Sequence, residues 1–96
     1  MARMMIAEII AASGVLQLRE LVKITGYDER KVRQMIAAER RAGIPILSDN
    51  RRGYYLPTSD DETRRFCRSM RHRAIEILRT ARAVEMGKEK LLEMEI

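Results

Sequence analysis

The sequence predicts an α+β fold that is mainly helical: three short helices, one β-hairpin, then a long C-terminal helix. Three observations carry this. Apolar residues recur at helical spacing from residue 3 to about 42. Two short apolar runs, Ile44–Leu47 and Tyr54–Leu56, flank the polar, glycine-containing segment "SDNRRG". Beyond Pro57 there is no further proline, and the next glycine after Gly53 is Gly87.

The first helix is expected over 3–13, "RMMIAEIIAAS", with Met5, Ile6, Ile9 and Ile10 on one face and Gly14 at its end. "VLQL", 15–18, is short and apolar and fits either a small strand or a simple bridge. A second helix follows at 18–25, "LRELVKIT", with Leu18, Leu21 and Val22 facing inward. Gly26 ends it and opens a tight turn with Tyr27. Asp28 then suits the N-cap of a third helix, 28–42, because its carboxylate can accept from free backbone N–H groups. In that helix Val32, Met35 and Ile36 point inward, while Glu29, Arg30, Lys31, Arg33 and Gln34 point outward. Two helices joined by a tight glycine turn, the second with a polar and basic start, form helix-turn-helix grammar.

The hairpin strands are expected at 44–48 and 53–57. Asp49, Asn50 and Gly53 supply the turn chemistry. Pro45 lacks an N–H and belongs at an unpaired edge position, and Pro57 ends the second strand. Of Tyr54 and Tyr55, which alternate in direction, Tyr55 is expected on the core side and Tyr54 on the outer side.

The last helix starts at "SDDE", 59–62, where Ser59 can cap the N–H of Glu62 and Glu62 can reach back to the cap. It is expected to run to about residue 90, with "KEKLLEMEI" fraying. Met70, Ala74, Ile77, Ala81, Val84 and Leu91 form one heptad-like stripe, extended backward by Cys67 and interrupted by Lys88. Small residues and that lysine argue against a strong parallel coiled coil. The other faces carry Arg64, Arg65, Arg68, Arg71, Arg73, Arg79 and Arg82. The expected division is 1–57 for the helix-and-hairpin part and 58–96 for the long helix, a candidate dimerisation element.

Composition narrows the function. With hydrophobic residues at 46% and charged residues at 34%, the 96-residue chain is globular. A net charge of +5 and arginine in excess over lysine suit a polyanionic partner, since the guanidinium fork matches phosphates and base edges. A solvated basic surface is the plainer reading of the same composition. The lone Cys67 excludes an internal disulfide and fits a reducing compartment. One histidine, His72, and one cysteine give no metal cluster and no Cys/His dyad, so no metal or cofactor is expected. The apolar run Met4–Ala12 is broken by Glu8 and too short to span a membrane. A cytoplasmic protein, nucleoid-associated when bound, is expected. The carboxylates sit in caps or among arginines, and neither Ser48 nor Ser59 has a histidine in its pattern, which excludes catalysis and leaves no small-molecule substrate evident.

The ordered segment "ERRAGIPILSDNRRGYYLP", together with the helices before it, resembles the winged helix-turn-helix domains of biotin protein ligase repressors and DeoR-like bacterial regulators. The likeness covers residues 3–57. The segment is also similar to an "ERRAG-PI-S" stretch of small phage and mobile-element proteins. The resemblance implies binding to double-stranded DNA, with 28–42 as recognition helix and 49–53 as the wing. Glu29, Arg30, Lys31, Arg33 and Gln34 would then read bases, although Glu29 equally serves the helix dipole. Arg40, Arg41, Asn50, Arg51, Arg52 and Tyr54 would contact the backbone. A small transcriptional regulator or phage accessory protein is the implied role, as a homodimer through the long helix with half-sites about one helical turn, 34 Å, apart.

Two departures from the family pattern stand out. Glu39 occupies a position where many winged helices place a leucine under the wing. It can pair with Arg40, Arg41 or a long-helix arginine, or mark a shifted register. The ligase repressors also continue into a catalytic domain, whereas here one basic helix follows, with no glycine-rich nucleotide loop. A winged helix acting as a protein-docking module in a replication or phage complex is the competing expectation, and RNA is a second possible partner.

Overall fold

The computed structural model describes residues 4–94. The elements run α1 (Met5–Ser13), α2 (Leu18–Thr25), α3 (Glu29–Arg41), β1 (Leu47–Asp49), β2 (Gly53–Tyr55) and α4 (Asp60–Met94). The fold is α+β and 71% helical, with one two-stranded antiparallel sheet and a long C-terminal helix. The chain divides into two compact units, with the boundary between Thr63 and Arg64.

In the first unit the apolar faces of α1, α2 and α3 close on one another. Ile6, Ala7, Ile10, Leu16, Leu21, Val32, Ile36 and Ile46 form the buried cluster, with Ile9, Val22, Met35, Ile44 and Leu56 packed around it. Burying a Leu or Ile side chain stabilises by roughly 1.5–3 kcal/mol, so this aliphatic cluster is the main stabilising element of a small unit. The expected inward residues of α3 are confirmed: Val32 and Ile36 are buried and Met35 is half-buried. Asp28 caps α3, its Oδ1 accepting from the Lys31 N–H at 2.8 Å.

Glu39 corrects the sequence reading. Among the described residues its carboxylate pairs with no guanidinium, and it is 2% exposed. Its Oε2 accepts from the Ile6 N–H and its Oε1 from the Ala7 N–H, both at 2.9 Å. These are second and third positions of α1, whose N-cap, Met4, offers no side-chain acceptor. A helix start leaves such donors without intrahelical partners, and its dipole favours an anion there. One carboxylate from α3 therefore caps α1 from 33 residues away. The position is on the buried stripe by spacing, since Val32, Met35, Ile36 and Glu39 follow i, i+3, i+4, i+7.

The hairpin is shorter than expected. Leu47 pairs with Tyr55, Ser48 with Tyr54, and Asp49 with Gly53, while 44–46 and 56–57 lie outside the strands. Pro45 interrupts the approach to β1, which limits the ladder. "VLQL" forms no strand and connects α1 to α2, with an isolated β-bridge at Leu16. Leu16 exchanges both backbone hydrogen bonds with Tyr54, at 3.0 and 2.8 Å. This contact explains Gly53. Its φ is +104°, and an added Cβ would lie 2.6 Å from the Leu16 carbonyl oxygen. Gly26, at φ +76° in the turn between α2 and α3, has open space around it instead.

Two further expectations change at α4. Glu62 does not reach back to Ser59: its Oε1 accepts from the N–H and hydroxyl of Thr58, while the Glu62 N–H donates to Ser59 Oγ at 3.3 Å. The helix also passes through Gly87 and continues to Met94 rather than ending near residue 90. Among the described residues no helix is long and apolar enough to cross a membrane.

Replacing Glu39 by leucine, the residue of the winged-helix pattern, should destabilise the first unit by about 3 kcal/mol, because each orphaned buried N–H costs about 1–3 kcal/mol. Urea unfolding, with hydrogen exchange at the Ile6 and Ala7 amides, checks this; an unchanged midpoint would show that the cap is dispensable. Gly53→Ala should cost about 2 kcal/mol more than Gly26→Ala, since only the former adds a backbone clash to left-handed strain.

Candidate nucleic-acid interface

The start of α3 is held by the Asp28 cap, which fixes the directions of the side chains that follow. Glu29, Arg30, Lys31, Arg33 and Gln34 are all exposed. At about 100° per residue, Arg30, Arg33 and Gln34 span one sector, whereas Lys31 points about 160° from Arg33. Lys31 stands at the edge of this arc, about 60° beyond Gln34 on the side away from Arg33. Glu29 lies 3.8 Å from Arg33 in an exposed i,i+4 pair, so its carboxylate orients a guanidinium as well as facing the helix start.

The hairpin tip is organised by Asp49. Its Oδ1 accepts from the N–H groups of Arg51 at 2.9 Å and Arg52 at 2.6 Å, and its Oδ2 accepts from Arg52 Nε at 2.7 Å. The Arg52 guanidinium also lies over the Tyr55 ring, 4.5 Å from its centre. The backbone N–H of Arg52, then its side chain, hold the Asp49 carboxyl below its ordinary range. The same bond raises the Arg52 guanidinium. Arg51 differs. Its carbonyl accepts from Gln17 Nε2 at 3.4 Å, but its guanidinium has no partner among the described residues. The two adjacent arginines are therefore unequal: Arg52 is tied into the turn and Arg51 is presented.

Arg40, expected at the nucleic-acid backbone, points inward. Its Nε donates to the Ile46 carbonyl at 2.7 Å and its Nη2 to Ser48 Oγ at 3.2 Å. It also lies 5.9 Å from the Tyr54 ring centre. Burial lowers its pKa, with Tyr54 acting in the opposite direction. Arg40 thus fastens the end of α3 to the strand, while Arg41 is exposed at the last position of α3. The tyrosines reverse the expectation. Tyr54 packs against the core cluster, whereas Tyr55 carries Arg52 on its ring.

Between α3 and the hairpin lies an open groove of about 340 Å³, lined by Gln17, Leu18, Arg33, Ser48, Asp49, Asn50, Gly53 and Tyr54. It brings together Arg33 from the expected base-reading set with Asn50 and Tyr54 from the expected backbone-contact set. Sequence reasoning missed Gln17, which joins this groove to the tip. Its only sequence signal is Glu20 three residues on; the Gln17 N–H donates to Glu20 Oε1 at 3.0 Å, one half of a capping box.

In the second unit, no residue of α4 is buried. Met70, Ala74, Ile77, Ala81, Val84 and Leu91 are all exposed along it. No protein-family model, curated protein or solved structure matches the chain.

Because the Asp49 carboxyl is depressed in the folded state, its contribution is present above the unfolded value near 3.9 and is lost as pH falls through the lower folded value. The amide signals of Arg51 and Arg52 should move together on acidification below about pH 3.9. NMR titration of the parent against Asp49→Asn tests this; persistence of the same transition in the variant would assign it to another group.

Proposed function

We propose that the chain is a winged-helix DNA-binding protein, acting without catalysis as a small prokaryotic or phage transcriptional regulator. The observation that carries the reading is the placing of Arg33, from the exposed sector of Arg30, Arg33 and Gln34 on α3, in one groove with Asn50 of the hairpin tip, where the neighbouring Arg51 presents a guanidinium that has no partner among the described residues. The order of elements supports it, since α2, a glycine turn and α3 are followed by a hairpin bridged back to Leu16.

In this reading the start of α3 lies in the major groove. Arg30 and Arg33 address guanine O6 and N7, and Gln34 addresses adenine N6 and N7. The hairpin lies along the adjacent backbone, where Arg51 meets phosphate or the narrow minor groove. Arg52, neutralised by Asp49, shapes the tip, and Arg40 keeps the strand at a fixed distance from α3. Arg41 adds a phosphate contact. The chain acts as a homodimer through α4, so that two copies address two half-sites.

A protein-docking role is the second reading, favoured by a mainly apolar groove of about 380 Å³ lined by Met4, Ala7, Glu8, Ala11, Ile44, Pro45, Leu56 and Pro57. It is set apart from the α3–hairpin groove, and the two readings give opposite binding results.

Fluorescence anisotropy with random duplex DNA across a salt series tests the proposal. Affinity should fall steeply with salt, and Arg51→Ala should reduce the log–log slope by about one phosphate equivalent. Arg52→Ala should change the slope by less, because its charge is already paired. No binding at low salt would sink the DNA reading and favour docking.

A further inference from the structure

The stripe on α4 is exposed at its large residues: Met70 is 42%, Ile77 69%, Val84 70% and Leu91 63% exposed. Their spacing places them at one heptad position, d, every seven residues. The alternate position, a, holds Cys67, Ala74 and Ala81, followed by Lys88. Large and small residues thus alternate along the seam from Cys67 to Val84.

Parallel pairing would stack a on a and d on d. Alanine would meet alanine and isoleucine would meet isoleucine, giving layers alternately too thin and too thick for close packing. Antiparallel pairing sets a against d, so that the layers of Cys67, Ala74 and Ala81 each join one small and one large side chain. We propose that α4 associates with α4 of a second copy in antiparallel orientation, centred near residue 79. Ile77 then faces Ala81 of the second copy, Ala74 faces Val84, and Cys67 faces Leu91. Lys88 faces Met70, with its stem along the thioether and its ammonium in solvent.

Charge is complementary in this register. Arg71 and Glu85 have no ion-pair partner among the described residues. In the proposed register each Arg71 lies opposite Glu85 of the other copy, twice by symmetry, and Leu78, 68% exposed, meets its own equivalent. A shift of one heptad sets Arg71 opposite Leu92 and Glu85 opposite Leu78 in one direction; in the other, Arg71 meets Leu78 and Glu85 meets Arg64, so the Arg71–Glu85 pair is specific to the proposed register. The proposal rests on the homodimer part of the function proposed above and not on DNA binding. It also alters the geometry expected from the sequence. The two Arg64 residues fall about 45 Å apart along the bundle, at 1.5 Å per residue, which is longer than one DNA turn.

The test uses the full chain without DNA. Spin labels attached through Ser69→Cys in a Cys67→Ser background should give a dipolar distance of about 35 Å in the antiparallel dimer and less than about 20 Å in a parallel one. Arg71→Glu should weaken dimerisation about tenfold in sedimentation, and adding Glu85→Arg should restore it. A short distance, a monomeric mass, or no rescue by the double swap would overturn the proposal. Any of these leaves the anisotropy result standing, and absence of DNA binding leaves the distance standing, so the two failures are separable.

Discussion

The first unit depends on one buried carboxylate. Glu39 sits among aliphatic side chains, where an isolated charge would be strongly disfavoured. Two backbone N–H groups and the positive end of α1 compensate it. The bond joins the first helix to the third in a fixed register, and that register determines where Ile6 and Ile10 enter the core. A hydrophobic residue at position 39 could fill the volume but could not specify where α1 begins. Hydrophobic burial supplies most of the stability here, and the carboxylate supplies the position.

A second set of polar contacts carries that order outward. Immediately after Glu39, Arg40 reaches over β1 and binds the Ile46 carbonyl and Ser48. Leu16 and Tyr54 exchange hydrogen bonds, and Gln17 reaches the Arg51 carbonyl. A three-residue ladder alone would be marginal in water. Held from Leu16 and Gln17 just before α2, from α3 and from the Asp49 turn, it becomes a defined edge beside α3. The arginines therefore divide by role. Arg40 and Arg52 are engaged by the protein itself, whereas Arg30, Arg41 and Arg51 are presented. Counting basic residues would treat them alike.

The second unit works by a different principle. α4 exposes an apolar row in which the large residues Met70, Ile77, Val84 and Leu91 recur every seventh position. Glycine at position 87 lowers helix propensity but does not interrupt the helix.

The sequence by itself determined the helices of the first unit, the hairpin, the Asp28 cap and the long final helix. Each is encoded locally, by apolar spacing, glycine turns or a short polar side chain beside free N–H groups. Glu39 was legible only in part: its spacing placed it on the buried stripe, but its surroundings of arginine suggested surface pairing, and its real partners are backbone groups more than thirty positions away. The same limit applies to Arg51 and Arg52. Identical in type and adjacent in the chain, they are separated by the Asp49 carboxylate and the Tyr55 ring, contacts that depend on how the turn closes. Which tyrosine faces the core, which arginine faces inward, and why Gly53 tolerates no Cβ were decided by tertiary structure alone, because each depends on a backbone or ring that folding brings close from elsewhere in the chain.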